Sequence, residues 1–584
     1  MSRRTQATLL AWATVLGGVA IVCSPWLADV TTLGFHDWDA MTSHRYLVKL
    51  SLLRYGELPG WNPYACGGFP AWGYVEGATT LVSPWLPAYL ALPIALALRI
   101  EVIGMALVGV LGAYALAGRF TRNAPARALA VALWGFDSRW SLQAAVGHAW
   151  HLAYGITPWC FYFFERARRE PSRPGPLLGL AASLAMLVYS GGIYPLSHTV
   201  LALALYALVV AASERSARPL ALLAGSGLLG IGLSAPKLVP MLHVFRRVPR
   251  LVDSRETLDL HTLGELLTSG DQHFRSVHGR LPLGWHEYGM YVSIAGLVLL
   301  LLLLIASGLR EGALKLVGAV FVVLGLGAFH AAAPWTLLHA WVPFFRSQHV
   351  PSRFLYPGLL LLSVAGAATL GRWAERRRWR SLASGAVVMA IGIDVALVAR
   401  QPMTQAMWMV APPITASDEF HFEQGPPFQY VKPDWAGPIY LAMLGNRGVV
   451  DCYGTPPFEG QRARAVSDPL YRGEAYVEES AERSAIATAR VTEWSPNHAR
   501  IALDGAGPGS TVVYNMNFDD GWRSDAGTVI AVDGKVAVRL DEPRTSVTLW
   551  YRPRGLDLGL VLGALSVVAS GLLCWRARRT RMAG

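Results

Sequence analysis

The chain has 584 residues, 53% hydrophobic and 15% charged, with 51 Lys and Arg against 39 Asp and Glu. Soluble globular proteins carry about 25% charged residues, so this balance excludes a soluble enzyme, a disordered chain and a collagen-like fibre. It is the composition of a polytopic membrane protein, and the net charge of +12 bears first on topology.

At the N-terminus, Ser2-Arg3-Arg4 precedes an uncharged run from Thr5 to Ala28. Trp26 stands where a signal-peptide cleavage site needs a small residue, so the run reads as an uncleaved first span. A spanning helix needs about 20 apolar residues. By that measure spans fall at 6–28, 99–118, 128–146, 149–165, 176–193, 195–212, 219–240, 288–308, 315–332, 354–371, 381–399 and 556–575, about twelve in all. The stretch 79–98 is apolar but holds Pro84, Pro87 and Pro93, which predict an interfacial or broken helix.

With the N-terminus in the cytoplasm, the cytoplasmic pieces are 1–6, 118–127, 165–175, 213–219, 309–315, 371–381 and 575–584. They hold 22 basic and 5 acidic residues, among them Arg376-Arg377-Arg378 and Arg576, Arg578, Arg579 and Arg581. Lys and Arg accumulate on the cytoplasmic side. The basic excess therefore records insertion and is no nucleic-acid footprint; no nucleic-acid partner is expected. Both termini are predicted cytoplasmic in a bacterial inner membrane. The segments 29–98, 241–287, 333–353 and 400–554 then face outward.

The division predicted is a membrane domain at 1–399 with outer loop 29–98, an outer β-rich domain at 400–554, and a final span with a basic tail at 555–584. The 400–554 block has 15 basic and 19 acidic residues, a soluble composition. Its second half alternates in strand fashion at Thr511–Tyr514, Val529–Val532, Val536–Val538 and Val547–Tyr551, with Asp533-Gly534 as a hairpin turn. The fold class expected is thus an α-helical polytopic membrane protein with a C-terminal β-sandwich-like domain. Five cysteines make no disulfide framework. Cys66 and Cys452 fall outside the spans; two unpaired thiols are the favoured reading and a bond between them the other. No CxxC or HExxH spacing marks a protein-only zinc site.

The first outer loop carries the most chemistry. It begins Phe35-His36-Asp37-Trp38-Asp39, nine residues past the first span. Carboxylates at i and i+2 just outside a membrane suit a general base, or a divalent metal ion with a sugar. An N-cap aspartate on a solvated loop is the plain alternative. An amphipathic helix follows at 40–55, and then Gly56-Glu57-Leu58-Pro59-Gly60-Trp61-Asn62-Pro63-Tyr64-Ala65-Cys66-Gly67-Gly68-Phe69-Pro70. Gly and Pro at this density predict a rigid irregular backbone. Trp61, Asn62 and Tyr64 on it suit sugar stacking; an interfacial aromatic belt is the alternative.

This aspartate after the first span, the "LRYGELPGWNPYACGGFP" stretch and the proline-rich run resemble the YfhO-like bacterial membrane proteins, a branch of the GT-C glycosyltransferase superfamily. Pro343-Phe344-Phe345-Arg346-Ser347-Gln348-His349-Val350-Pro351-Ser352-Arg353-Phe354 is similar to the family's stretch before a late span. Gly521-Trp522, Asp533-Gly534 and Tyr551-Arg552-Pro553 resemble its C-terminal outer domain. The DWD spacing departs from the single aspartate common in such loops, so Asp37 and Asp39 are both candidates for the base. The resemblance implies an inverting transferase on the outer face, with a polyprenyl-phosphate sugar donor and a cell-envelope glycan, lipid or protein acceptor. An acceptor hydroxyl needs a carboxylate to take its proton. A leaving lipid phosphate needs cations at the membrane boundary, and Arg346 and Arg353, flanking His349, are placed for that.

Lys237, near the outer end of the 219–240 span, is a further candidate cation or a snorkelling lysine. His148 and His151 stand between two spans; they are placed to touch substrate, to hold a metal with Asp37 or Asp39, or to hydrogen-bond locally. Glu76 is a second loop acid, and Asp394 lies inside a predicted span. Two other classes stay open: a transporter or flippase for a lipid-linked saccharide, and a non-catalytic envelope assembly protein.

Overall fold

The computed structural model describes residues 3–276, 281–432, 437–452, 462–478 and 487–582. Residues 583–584 of the predicted tail lie outside the described residues. Seven described helices are long and apolar enough to cross a membrane: Thr5–Leu27, Ile94–Ala117, Ile193–Glu214, Arg218–Arg247, Pro351–Glu375, Arg378–Met403 and Leu556–Arg579. Three shorter apolar helices, Pro174–Tyr189, Ile294–Ala306 and Gly312–Gly325, fall in three more of the twelve predicted segments.

The other two segments are not continuous helices. The run 128–146 holds the end of a helix Ala124–Ala130, a π turn Val131–Gly135 and a second helix Ser138–Ala145. Asp137 breaks it by accepting a hydrogen bond from the Arg139 backbone N–H as an N-cap. The run 149–165 starts as a 3-10 helix, Ala149–Ile156, every residue of which is buried. Pro158 then sits in the first turn of Thr157–Arg169. Between 79 and 93 the prolines break the chain into the short turns Thr79–Val82 and Leu86–Ala91.

The predicted helix at 40–55 forms as Trp38–Leu50 plus a π turn Ser51–Tyr55, ending at Gly56 with φ of 67°. It differs from the expectation in being buried nearly all round over Trp38–Val48. Its second face is covered by the 400–554 block, where the helix Ile439–Leu444 packs on it.

That block carries two four-stranded antiparallel sheets. One runs Val529–Val532, Lys535–Arg539, Thr511–Asn517, Ala475–Glu478; the other runs Trp522–Ser524, Ser546–Tyr551, His498–Asp504, Thr488–Ser495. Val532 pairs with Lys535 across Asp533-Gly534, whose φ values of 48° and 73° are those of a two-residue primed turn. Ile501, Val512, Trp522, Val536 and Leu549 share one hydrophobic cluster, and Leu47, Trp61, Tyr64 and Ala71 of the first loop belong to it too.

Cys66 and Cys452 are joined by a disulfide across 386 residues of chain, which overturns the expectation of two unpaired thiols. The cause is local backbone pairing. The Gly67 N–H donates to the Val449 carbonyl at 3.0 Å, and the Val449 N–H to the Tyr64 carbonyl at 3.1 Å.

Candidate functional site

A cavity of about 590 Å³ lies where the first loop, the 147–150 turn, the end of the Arg218–Arg247 helix and the 343–353 segment meet. Asp37, Glu76, His148, Glu287, His349 and Arg353 are its main polar lining. Five of these six were candidates from sequence; Glu287 was not.

Asp37 is set by backbone contacts. Its N–H donates to the Val146 carbonyl at 3.1 Å, and Trp38 Nε1 donates to the Ala144 carbonyl at 2.7 Å. A Cβ on Gly147 would lie 2.3 Å from Trp38 N, so this approach needs glycine. Asp37 occupies the N-cap position of Trp38–Leu50, yet its side chain does not cap the helix. Its carboxylate instead meets His148 Nε2 at 3.1 Å and His36 Nδ1 at 3.2 Å. Burial opposes its charge, but the two histidines outweigh burial and hold its pKa well below the carboxylate range. Asp37 is therefore ionised at neutral pH. His148 also bonds Gln143 through Nδ1 at 2.8 Å.

Asp39 points elsewhere, because residues two apart lie on nearly opposite faces of a helix. It is 1% exposed and does not line the cavity. The Tyr430 hydroxyl donates to it at 2.5 Å, and the Ile439 and Tyr440 N–H groups at 2.8 and 3.1 Å. Burial pushes its carboxyl up to about 7 against those bonds. The folded value lies above the ordinary 3.8, so protons favour the folded state. This contribution is full below about pH 4 and is lost as pH rises toward about 7. Thermal melting of the wild type should show that loss, and Asp39→Asn should flatten it; equal slopes would refute the assignment.

Glu287 is 5% exposed and is the second acid of the site. Arg353, 2% exposed, donates to it through Nε at 3.1 Å and Nη2 at 2.6 Å. The Arg353 guanidinium also lies over the Trp150 and Tyr194 rings, 4.6 and 4.3 Å from their centroids. Burial raises the Glu287 pKa, but Arg353 and then His148 pull it well below the usual range. Buried Arg139 holds the same turn by donating to the Glu287 and Tyr288 carbonyls at 2.9 and 2.6 Å. His349 faces Glu256 at 3.8 Å. Glu76 accepts from the Tyr74 hydroxyl at 3.3 Å, and burial raises its pKa.

The remaining candidates are not on the cavity. Arg346 is exposed outside it. Lys237 is fully buried and donates to the carbonyls of Trp72, Tyr74 and Gly77 at 2.9, 2.8 and 2.6 Å, so it clamps the loop that carries Glu76. His151 is buried against Tyr154 and Tyr356, and neither ring nitrogen has a hydrogen-bond partner among the described residues. Trp61 packs on Trp522 and Tyr551. The Tyr64 hydroxyl donates to Asn446 at 3.2 Å, and Asn62 Oδ1 accepts from the Tyr64 N–H at 3.0 Å. Trp61 and Tyr64 bind the first loop to the sheets, Asn62 holds the loop to itself, and all three are buried with no face for a sugar. Asp394 accepts from the Tyr291 hydroxyl at 3.0 Å, away from the cavity.

Ligand atoms of His148, His286 and Glu287 lie within 4.8 Å of one another. His286 Nδ1 is buried without a hydrogen-bond partner among the described residues. Two imidazole nitrogens and a carboxylate fit a borderline ion such as zinc better than magnesium. Asp39 takes no part in this set. Glu287 and His286 had a readable signal, since Trp285-His286-Glu287 stands just before an apolar run, as His36-Asp37 stands just after one.

Fold and cavity together define a polytopic helical membrane protein with an acid- and histidine-lined site. No protein-family model matches the sequence, and no curated protein matches it. The cryo-EM structure of the arabinofuranosyltransferase AftD from Mycobacteria is similar over 77% of this chain and 32% of that one, at 15% identity and a TM-score of 0.46. The archaeal oligosaccharyltransferase AglB from Archaeoglobus fulgidus, in complex with an inhibitory peptide and a dolichol-phosphate, is similar over 76% of this chain and 64% of that one, at 11% identity and a TM-score of 0.41. The chain spans about a third of the first and under two thirds of the second.

Proposed function

We propose that the chain is a GT-C-type glycosyltransferase of the bacterial inner membrane. It moves a sugar from a polyprenyl-phosphate donor to a cell-envelope glycan, lipid or protein, on the outer face, with inversion. In this reading 1–399 and 555–584 form the membrane part and 400–554 the outer β-rich part. The observation that carries the reading is the Asp37 carboxylate, kept ionised by His36 and His148 on the wall of a cavity that is also walled by the apolar end of a spanning helix. A polar sugar on a greasy carrier needs both walls.

In the reaction the acceptor oxygen bonds to the anomeric carbon as the bond from that carbon to the phosphate oxygen breaks. The electron pair leaves with the lipid phosphate, and the hydroxyl proton passes to Asp37. Asp37 is ionised before the acceptor binds and so has a lone pair free for that proton. Glu287 fixes Arg353, and Gln143 and Asp37 fix His148, so the site is rigid before substrate enters.

A divalent ion on His148, His286 and Glu287 would add positive charge for the leaving phosphate. Zinc should then raise the melting temperature of the wild type and not that of His286→Ala. No shift in either protein would refute the metal site.

The class is tested by placing the purified protein in vesicles with a polyprenyl-phosphate sugar labelled in the sugar. Label on an acceptor with release of lipid phosphate is the expected result. Movement of the intact donor across the bilayer with no bond broken would overturn the proposal in favour of a transporter.

A further inference from the structure

The cations of the cavity are mostly spent. Arg353 is bonded to Glu287, His148 to Asp37, and His349 faces Glu256. Arg250 is different. It lies three residues past the Arg218–Arg247 helix and lines the cavity, half-buried. Its buried Nε has no hydrogen-bond partner among the described residues, and it forms no ion pair there. A buried guanidinium N–H left without an acceptor is costly, and proteins keep few of them. Glu76 and His349 line the same cavity, and the charge of Arg250 acts on both. Met241, Leu242 and Phe245 of the spanning helix continue the lining beside it, and Phe344 faces them from the 343–353 segment.

We infer that Arg250 binds the phosphate of a lipid-phosphate donor, with the first isoprenoid units lying on Met241, Leu242 and Phe245. A guanidinium presents paired N–H donors that match phosphate oxygens, and an apolar strip on a membrane helix matches the chain attached to them. This takes the phosphate role from Arg346, which is outside the cavity, and from Arg353, whose charge Glu287 balances. As the bond to the anomeric carbon breaks, the phosphate oxygen gains charge next to a cation that forms no close ion pair among the described residues. The inference rests on the proposed lipid-phosphate donor.

The test uses the full chain in phosphatidylcholine nanodiscs and measures binding of tritiated farnesyl phosphate. Farnesol and inorganic phosphate serve as competitors, and Arg250→Gln, Arg250→Lys and Arg346→Gln as variants. Arg250→Gln should weaken farnesyl phosphate binding by about 10- to 100-fold, the range for a lost charged hydrogen bond. Arg250→Lys should lose less, and Arg346→Gln nothing. Farnesol and inorganic phosphate should each compete far more weakly than unlabelled farnesyl phosphate. Wild-type binding with Arg250→Gln unchanged, or with Arg346→Gln equally impaired, overturns the assignment and leaves the donor class standing. Inorganic phosphate competing as well as farnesyl phosphate overturns the lipid contact. Farnesol competing equally overturns the phosphate contact. No wild-type binding of farnesyl phosphate overturns the donor class and the inference with it. Equal melting temperatures separate lost binding from lost folding, and Arg250→Lys covers the case in which Arg250→Gln does not fold.

Discussion

Asp37→Asn should lower the rate of sugar transfer by about a thousandfold, within the range general-base catalysis supplies, while Asp39→Asn keeps the rate within a few-fold. The amide has the shape of the carboxylate but neither its charge nor its basicity. It cannot take the acceptor proton, and it cannot pair with His36 and His148, which stand 3.2 and 3.1 Å from the carboxylate. The loss should fall on kcat and leave the KM for the lipid donor nearly unchanged, because the proposed phosphate contact is Arg250 and not Asp37. Asp39 is two residues away but faces Tyr430 and the 439–440 backbone. Its replacement should alter the pH profile of stability and not the chemistry. Radiolabel transfer with each purified variant checks both statements. Wild-type turnover by Asp37→Asn would refute the mechanism.

That separation of two aspartates shows where sequence reasoning stops. Hydropathy found the long helices because a spanning helix must be apolar along its whole length. It missed the break inside 128–146 because a window average hides single residues: the chain leaves a π turn at Gly135, and Asp137 caps a new helix, Ser138–Ala145. Alternation and Asp533-Gly534 located four of the eight strands of the two sheets, and one turn, because both signals are local in the chain. Position within the DWD motif was legible; which aspartate faces the cavity was not, since that depends on what covers the other side of the helix. Trp61, Asn62 and Tyr64 were misjudged because aromatics on a Gly- and Pro-rich loop look the same whether they stack on a sugar or on Trp522 and Tyr551. Glu287 and Arg250 are far from Asp37 in sequence, and only folding brings them to one cavity. The Cys66–Cys452 bond is the same case, set by pairing between segments 386 residues apart.

Glu287→Ala should be the most destabilising single change in the site. It leaves the Arg353 guanidinium 2% exposed with no carboxylate. Removing one partner of a buried pair costs about 3–5 kcal/mol, because the other charge stays desolvated and unmatched. Trp150 and Tyr194 still face the guanidinium, but ring contacts of about 1–2 kcal/mol do not replace an ion pair. The double replacement Glu287→Leu with Arg353→Met removes both charges and should recover most of the lost stability, since an apolar pair of similar volume carries no desolvation cost. It should not recover transfer, because His148 then lacks the carboxylate that lies 3.8 Å from its Nδ1. Arg139 bonds the Glu287 backbone carbonyl and not its side chain, so the 285–288 turn should persist in all variants. Melting curves of the wild type, Glu287→Leu, Arg353→Met and the double variant form a cycle whose coupling term measures the pair. A Glu287→Ala protein that melts with the wild type would show that Arg353 finds another partner, and the rigid-site argument would fall.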